Sequence, residues 1–379
     1  MNRKPKIALM SYAMDNRQAK GTALYTRKLI EHLVQDKRFD VYLVHYNRAD
    51  DPLYKKAREI IMPEIRLPFG TRFVRQLLFF WKYRKEPFDI IHWFQPRLYP
   101  FFWLAPARVL VATLHGAADV TGGGRFPFSR RMFNFVLKHF SHRLSAIIAD
   151  SEFGRAEIVE WYRAKEERVH VIYLGGGQGF VPIDKKTAKR RLKEQYGIEG
   201  DFILDISLHV RHKNIISLVR AYIELQKQEK TLLKLVIVGA KEYAYHETFV
   251  ASRLSPRPDD IIFIDFISQE DLNAIYSAAA IFVFPSLNEG FGLPIIEAFA
   301  SGTPVVTSNI TSMPEIAGDA ALLADPSSDA DIAEKISLLL SDGQFCNGLI
   351  KKGLERAKDF SWRTTAEKTA RIYLDLLKT

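Results

Sequence analysis

Short apolar runs rich in Val and Ile recur along the whole chain, and longer stretches with helical spacing of apolar residues separate them. Because the runs lack polar alternation, each reads as a strand buried on both faces, the pattern of βαβ units in a parallel sheet. In the first half they lie at Lys6 to Met10, Val41 to His45, Ile90 to His92, Val109 to Leu114, Ala146 to Ala149 and Val169 to Tyr173. They recur at Phe202 to Ser207, Lys234 to Val238, Ile261 to Phe266, Ile281 to Phe284, Pro304 to Thr307 and Ala321 to Leu323. A chain of 379 residues is long for one domain, so the expected fold is α/β with two doubly wound domains facing a central cleft. The expected division is a first domain over 1–178, a linker over 179–200, a second domain over 201–360 and a closing helix over 361–379 that can pack back on the first.

Composition adds three constraints. Residues 1–200 hold 36 Lys and Arg against 20 Asp and Glu, whereas residues 201–379 hold 18 against 24. A basic half of this kind suits an anionic partner: a membrane face, a nucleic acid or a phosphorylated substrate. The lone Cys346 can form neither an internal disulfide nor a thiolate metal cluster, which favours a reducing, cytoplasmic setting. The longest apolar stretch, Ala274 to Leu287, is interrupted by Pro285 and falls short of the roughly 20 residues of a bilayer span. Near the N-terminus, Arg3, Lys4 and Lys6 precede an apolar run that ends at Asp15 without a small-residue cleavage site, so a first strand is expected there and not a signal peptide.

The segment with most chemistry is Asn288-Glu289-Gly290-Phe291-Gly292-Leu293-Pro294-Ile295-Ile296-Glu297-Ala298. It lies between two apolar runs and reads as strand, glycine turn, helix. Gly290 and Gly292 permit a tight turn and close backbone approach, and Pro294 suits a first helical turn, where its missing N–H is no loss. The open N–H groups of that turn, with about half a unit of positive charge from the helix dipole, suit a pyrophosphate. Glu297 follows within the first turns, in reach of ribose hydroxyls, and Glu289 precedes the turn.

Glu289 and Glu297, with seven residues between them in this element, resemble the signature of retaining glycosyltransferases of the GT-B fold, family 4 (group 1, mannosyltransferase-like and glucosyltransferase-like). The likeness extends to Phe266 through Leu272, to Ser301-Gly302-Thr303-Pro304-Val305-Val306 and to Pro314 through Ala321. In the first half Asp89-Ile90-Ile91-His92, Thr113-Leu114-His115 and Ile147 through Phe153 match more loosely. The resemblance implies two Rossmann-like domains. It implies that Glu297 binds the donor ribose, and that Glu289 with the backbone of Gly290, Phe291, Gly292 and Leu293 holds the transferred sugar and its diphosphate. It further implies a phosphate-binding role for Lys213 with Arg211 as partner, and a place for His115 beside the donor sugar, with Glu152 a lesser candidate. No resident cofactor and no metal are expected, because two cations and a helix N-terminus can neutralise a diphosphate leaving group. This sequence departs from the family where Leu208 and His209 stand in place of an arginine, where Gly21 is alone in a loop usually rich in glycine, and where Gly116 follows His115 in place of aspartate.

Asp329-Ala330-Asp331 has a metal-diphosphate spacing but opens a helical pattern and reads better as an N-cap. His92 reads as packing. Two basic and aromatic segments stand out in the first half: Thr71 to Lys85, with Arg72, Arg75, Lys82, Arg84, Lys85, Phe79, Phe80 and Trp81, and Arg125 to Arg143, with Arg130, Arg131, Lys138, Phe126, Phe128, Phe133 and Phe135. Helices of this kind can lie in a membrane interface. The function expected is transfer of a hexose from a nucleoside diphosphate sugar, of the GDP-mannose or UDP-glucose type, to a glycan or lipid-linked acceptor at the inner face of the cell membrane, in cell-surface polysaccharide or glycolipid assembly. The alternatives are a soluble sugar synthase and, in a different class, a non-catalytic anion or nucleic-acid binding module. The second module lacks a groove-reading or stacking motif, so no nucleic-acid partner is expected.

Overall fold

The computed structural model describes residues 3–15, 21–48, 51–68, 70–95, 98–117 and 128–378. The chain divides into two compact units, one of Met1–Leu174 with Trp362–Thr379 and the other of Gly175–Ser361. The charge asymmetry follows this division: the first unit holds 34 Lys and Arg against 19 Asp and Glu, the second 20 against 25.

The first unit is built on seven parallel strands in the order β3-β2-β1-β4-β5-β6-β7. They are β1 Lys6–Met10, β2 Asp40–His45, β3 Arg58–Ile61, β4 Phe88–Trp93, β5 Ala107–Leu114, β6 Ala146–Ala149 and β7 Val169–Val171. Residues such as Ile7, Leu9, Ile90, Val111 and Ile147 are buried, as apolar strands covered on both faces must be. Only β3 escaped the sequence pattern. It opens with the exposed pair Arg58 and Glu59 and forms the sheet edge, where charged side chains blunt unpaired backbone groups.

The helix Trp362–Lys378 belongs to this unit. Thr365 donates to the Tyr173 carbonyl at 2.8 Å, and Tyr373, fully buried, meets Phe39 edge-on at 6.0 Å. The two basic segments form the helices Thr71–Tyr83 and Phe128–Phe140, with residues 125–127 outside the described residues. Their outer faces carry Trp81, Phe128 and Phe135, at 64%, 83% and 57% exposure. Arg75 does not share that face. It is buried, and its guanidinium donates to the carbonyls of Tyr46, Met62 and Pro63, while Phe79, Phe80 and Phe133 belong to the core.

The second unit has six parallel strands in the order β10-β9-β8-β11-β12-β13. They are β8 Phe202–Ile206, β9 Lys234–Val238, β10 Ile261–Ile264, β11 Ile281–Phe284, β12 Val305–Ser308 and β13 Leu322–Ala324. Residues 179–200, expected as a linker, pack into this unit. Asp184 caps the helix Lys185–Tyr196 by accepting from the Thr187 N–H at 3.0 Å, and the Tyr196 hydroxyl donates to Asp271 at 2.7 Å. The division falls at Leu174/Gly175 because the next glycines need contact with the second sheet's helices: a Cβ on Gly176 would lie 2.7 Å from Ile296 Cγ2, and one on Gly177 would lie 2.8 Å from Ala300 Cβ. The acids of Asp329-Ala330-Asp331 sit in the first turn of the helix Asp329–Ser341, but the cap itself is Ser328, which accepts from the Asp331 N–H.

Candidate functional site

In open doubly wound sheets, ligands bind beyond the carboxyl ends of strands where the strand order reverses. In the second unit that point lies between β8 and β11, and the loops leaving these two strands are stitched together there. The Leu287 N–H donates to the His212 carbonyl at 2.7 Å, and Asn214 Nδ2 donates to the carbonyls of Pro285 at 3.1 Å and Pro326 at 2.7 Å. The stitching brings Lys213, after β8, onto Glu289, after β11. Lys213 Nζ donates to Glu289 Oε1 at 2.5 Å and lies 4.9 Å from the Phe284 ring centroid, with both charged side chains about one-sixth exposed. With so little exposure the pair is largely desolvated, and either charge would need another charged or polar partner if it left the other.

Asp205 occupies the middle of β8's apolar run and is fully buried. Ser207 donates to its Oδ1 at 2.5 Å, while its Oδ2 has no hydrogen-bond partner. Burial pushes this carboxyl up to about 7, with Ser207 and Lys213 opposing and Glu289 adding to the rise.

Gly292 starts the helix Leu293–Ala300 with φ 121°, a conformation that side chains rarely adopt, and a Cβ there would lie 3.0 Å from Met313 Cε. Gly290 has no positive φ, so the backbone bend rests on Gly292 alone. Ser312 Oγ lies 2.9 Å from the Glu289 carbonyl and 2.8 Å from the Phe291 carbonyl, tying those two oxygens down. Phe291 is buried edge-on against Phe360 at 5.8 Å, so what it can offer a ligand is backbone. The N–H groups of Gly292 and Leu293 find no acceptor among the described residues, as the first N–H groups of a helix do unless a cap or ligand supplies one. Glu297, half-buried on this helix, accepts from the Tyr276 hydroxyl at 3.0 Å, and burial pushes its carboxyl up to about 7 against the opposing pull of that bond.

The structure therefore brings Lys213 to Glu289 and sets Phe291, Gly292, Leu293 and Glu297 along one helix start. Arg211 is exposed and lines a cavity of about 240 Å³ with His209, Asn214, Glu247, Thr248 and Leu287.

His115, in the first unit, follows β5 and is about one-fifth exposed. Its Nδ1 lies 2.5 Å from Asp150 Oδ2 and its Nε2 3.2 Å from the Phe94 carbonyl. Burial alone would lower its pKa, but the Asp150 charge, the hydrogen bond to it and the Phe94 carbonyl outweigh burial and raise it. His92 is a core residue, bonded to the Tyr373 hydroxyl at 2.5 Å and to Thr113 at 2.9 Å, and burial pushes it down to about 3. Glu152 is exposed at the start of the helix Glu152–Tyr162 and pairs with Arg155 at 3.1 Å. Asp150, Asp205 and Tyr276 had no role from sequence. The signal available was an acid inside or just after an all-apolar strand, since an acid there is buried and must find a partner.

Two family models match consecutive parts of the chain: "Glycosyltransferase Family 4" over residues 19–175 and "Glycosyl transferases group 1" over residues 186–356. The chain is 32% identical over 277 residues to O-antigen chain mannosyltransferase B of Escherichia coli, which covers 72% of each. It belongs to glycosyltransferase family 4. This family 4 glycosyltransferase is also 31% identical over 255 residues to the serotype-specific mannosyltransferase WbdA of Escherichia coli, of which the match spans 31%. Its fold, the GT-B fold, matches the Anabaena Alr3699/HepE structure in complex with UDP-glucose at a TM-score of 0.78, over 98% of this chain and 100% of that one at 17% identity. No described helix is long and apolar enough to cross a membrane.

Proposed function

We propose that this hexosyltransferase moves a hexose from a nucleoside diphosphate sugar to a glycan or lipid-linked acceptor with retention of anomeric configuration and without a dissociable metal. The observation that carries the reading is the Lys213–Glu289 pair beside the open N–H groups of Gly292 and Leu293. Diphosphate oxygens can take Lys213 and the helix N-terminus, which frees Glu289 for sugar hydroxyls, and Glu297 takes the ribose. The acceptor oxygen bonds to the sugar's anomeric carbon on the face that the phosphate leaves. As the bond from that carbon to phosphate oxygen breaks, the acceptor's proton passes to the departing diphosphate. No enzyme carboxylate is made covalent in this scheme.

The mannosyltransferase relatives favour a GDP-mannose donor, and the HepE complex keeps a UDP-glucose donor open. The relatives' names also favour a role in cell-surface polysaccharide assembly. The first unit's surplus of Lys and Arg and the exposed Trp81, Phe128 and Phe135 suit peripheral attachment to an anionic membrane face. Arg211, two residues before Lys213 on the same turn, is the candidate second diphosphate cation. The test is a panel of nucleotide sugars and acceptors assayed with chelator present, with the product's anomeric configuration read by proton NMR. Retention, unaffected by chelator, is expected. Inversion or loss of turnover with chelator would overturn the mechanism.

A further inference from the structure

We infer that Asp150 is a positioning residue that keeps His115 doubly protonated, so that His115 serves transfer as a fixed positive charge and not as a proton acceptor. The inference rests on the proposed transfer reaction and on the place beside the donor sugar that the family resemblance implies for His115. Its basis is the set of partners around the ring. Nε2 faces the Phe94 carbonyl oxygen at 3.2 Å, and a carbonyl oxygen only accepts, so Nε2 carries hydrogen. Nδ1 faces Asp150 Oδ2 at 2.5 Å, and a carboxylate likewise only accepts. With both nitrogens donating, the ring is cationic and has no lone pair left for a substrate hydroxyl.

Asp150 is built for this task. It directly follows β6, is 2% exposed, and its Oδ1 has no hydrogen-bond partner, so the one bond its carboxyl makes is to His115. Among the described residues the other groups around the ring are engaged elsewhere. Tyr25 meets it edge-on at 4.9 Å, with its hydroxyl engaged by Thr113 at 2.9 Å. His92 has both nitrogens on the hydroxyls of Tyr373 and Thr113, and its burial keeps it neutral. The Glu157 carboxyl accepts from the Ala117 N–H at 2.9 Å. A fixed cation also fits the reaction drawn above, in which the acceptor's proton leaves with the diphosphate and no enzyme base is required.

The first test reads the wild-type protein. A long-range proton–nitrogen NMR spectrum of the whole protein at pH 7, assigned through His115→Gln, is expected to show both His115 nitrogens as protonated. A bare Nδ1 with the proton on Asp150, or a neutral tautomer, would overturn the inference. The second test is the pH dependence of turnover. The working form is protonated, so activity holds at low pH and falls as pH rises through the His115 pKa. In Asp150→Asn that alkaline limb is expected to move down by about one to three pH units, the effect of removing an adjacent opposite charge. The donor KM stays near the wild-type value, and Asp150→Glu restores the limb. An unmoved limb with His115→Gln inactive would overturn the role of Asp150 alone, whereas wild-type turnover in His115→Gln would remove His115 from the site. If Asp150→Asn fails to fold, the wild-type spectrum decides.

Discussion

The two sheets share one strand order around their switch points, yet their carboxyl ends are finished in opposite ways. In the first unit one chain of polar groups there is bonded throughout: Tyr373 to His92, His92 to Thr113, and Thr113 to Tyr25. In the second, Asp205 Oδ2 and the N–H groups of Gly292 and Leu293 find no partner among the described residues, and Lys213 pairs with Glu289 from the loops of the same two strands. The first chain of groups is saturated and the second set is open among the described residues. Saturation stabilises a fold, because buried polar groups cost little once paired, whereas open donors and acceptors cost stability and are retained where a ligand completes them. The comparison teaches where to expect loss of activity and where to expect loss of stability.

The largest effect expected is on the open side. Glu289→Ala should lower kcat by about 10² to 10³-fold, the scale of losing one preorganised polar contact to the transition state, while thermal unfolding shifts little. Initial rates near wild type would break the comparison.

Next comes pH, where the two ends should respond with opposite sign. Asp205 has its pKa raised to about 7 from 3.8, so its contribution to stability is present below about 4 and is lost as pH rises through 7. His92 has its pKa lowered to about 3 from 6.5, so its contribution is present above about 6.5 and is lost as pH falls toward 3. Asp205→Asn should therefore gain stability over wild type at pH 8, by on the order of 1 to 4 kcal/mol, and lose that advantage by pH 4. His92→Asn should flatten the loss between pH 6.5 and pH 4 instead. Denaturant titrations at each pH would read both, and parallel curves for wild type and variants would refute the assignment.

On the saturated side, Tyr373→Phe strips the Nδ1 of buried His92 of its partner. It should cost about 1 to 3 kcal/mol in chemical denaturation with kcat retained. A large loss of turnover at unchanged stability would mean that the first network belongs to the chemistry and not to the scaffold. The smallest effect expected is that of Gly176→Ala. Its Cβ would press on Ile296 at Cγ2 (2.7 Å) and Cβ (3.0 Å), close to the backbone of the helix that carries Glu297, so at least about 1 kcal/mol of destabilisation is expected with a modest rise in donor KM.

Much of this was legible in the sequence because apolar strands of a parallel sheet are continuous words. Val, Ile and Leu runs marked twelve of the thirteen strands, and β3 was missed because an edge strand needs only one apolar face. The glycine turn was legible too, with Gly292 its conformational pivot, but the space that Gly176 and Gly177 leave for Ile296 and Ala300 depends on tertiary contact that no local pattern encodes. Lys213 and Glu289 are 76 residues apart, and only the strand order of the sheet brings them together. Arg211 shows the limit of reading along the chain. Two residues from Lys213 in a tight turn, it lines a cavity with Glu247 and Thr248, which only the fold brings to it. Arg75 makes the same point among the basic helices, where it is bound to backbone carbonyls and not displayed.

The claim on which the rest depends is that the open end of the second sheet receives a diphosphate. Isothermal titration of GDP and UDP into the wild type and into Lys213→Ala, with chelator present, addresses it directly. Binding of at least one nucleotide to the wild type, weakened about 10- to 100-fold in the variant, is the expected result, matching the roughly 1.5 to 3 kcal/mol of a charged hydrogen bond. Equal affinity in the two proteins, or no binding of either nucleotide to a folded wild type, would contradict it.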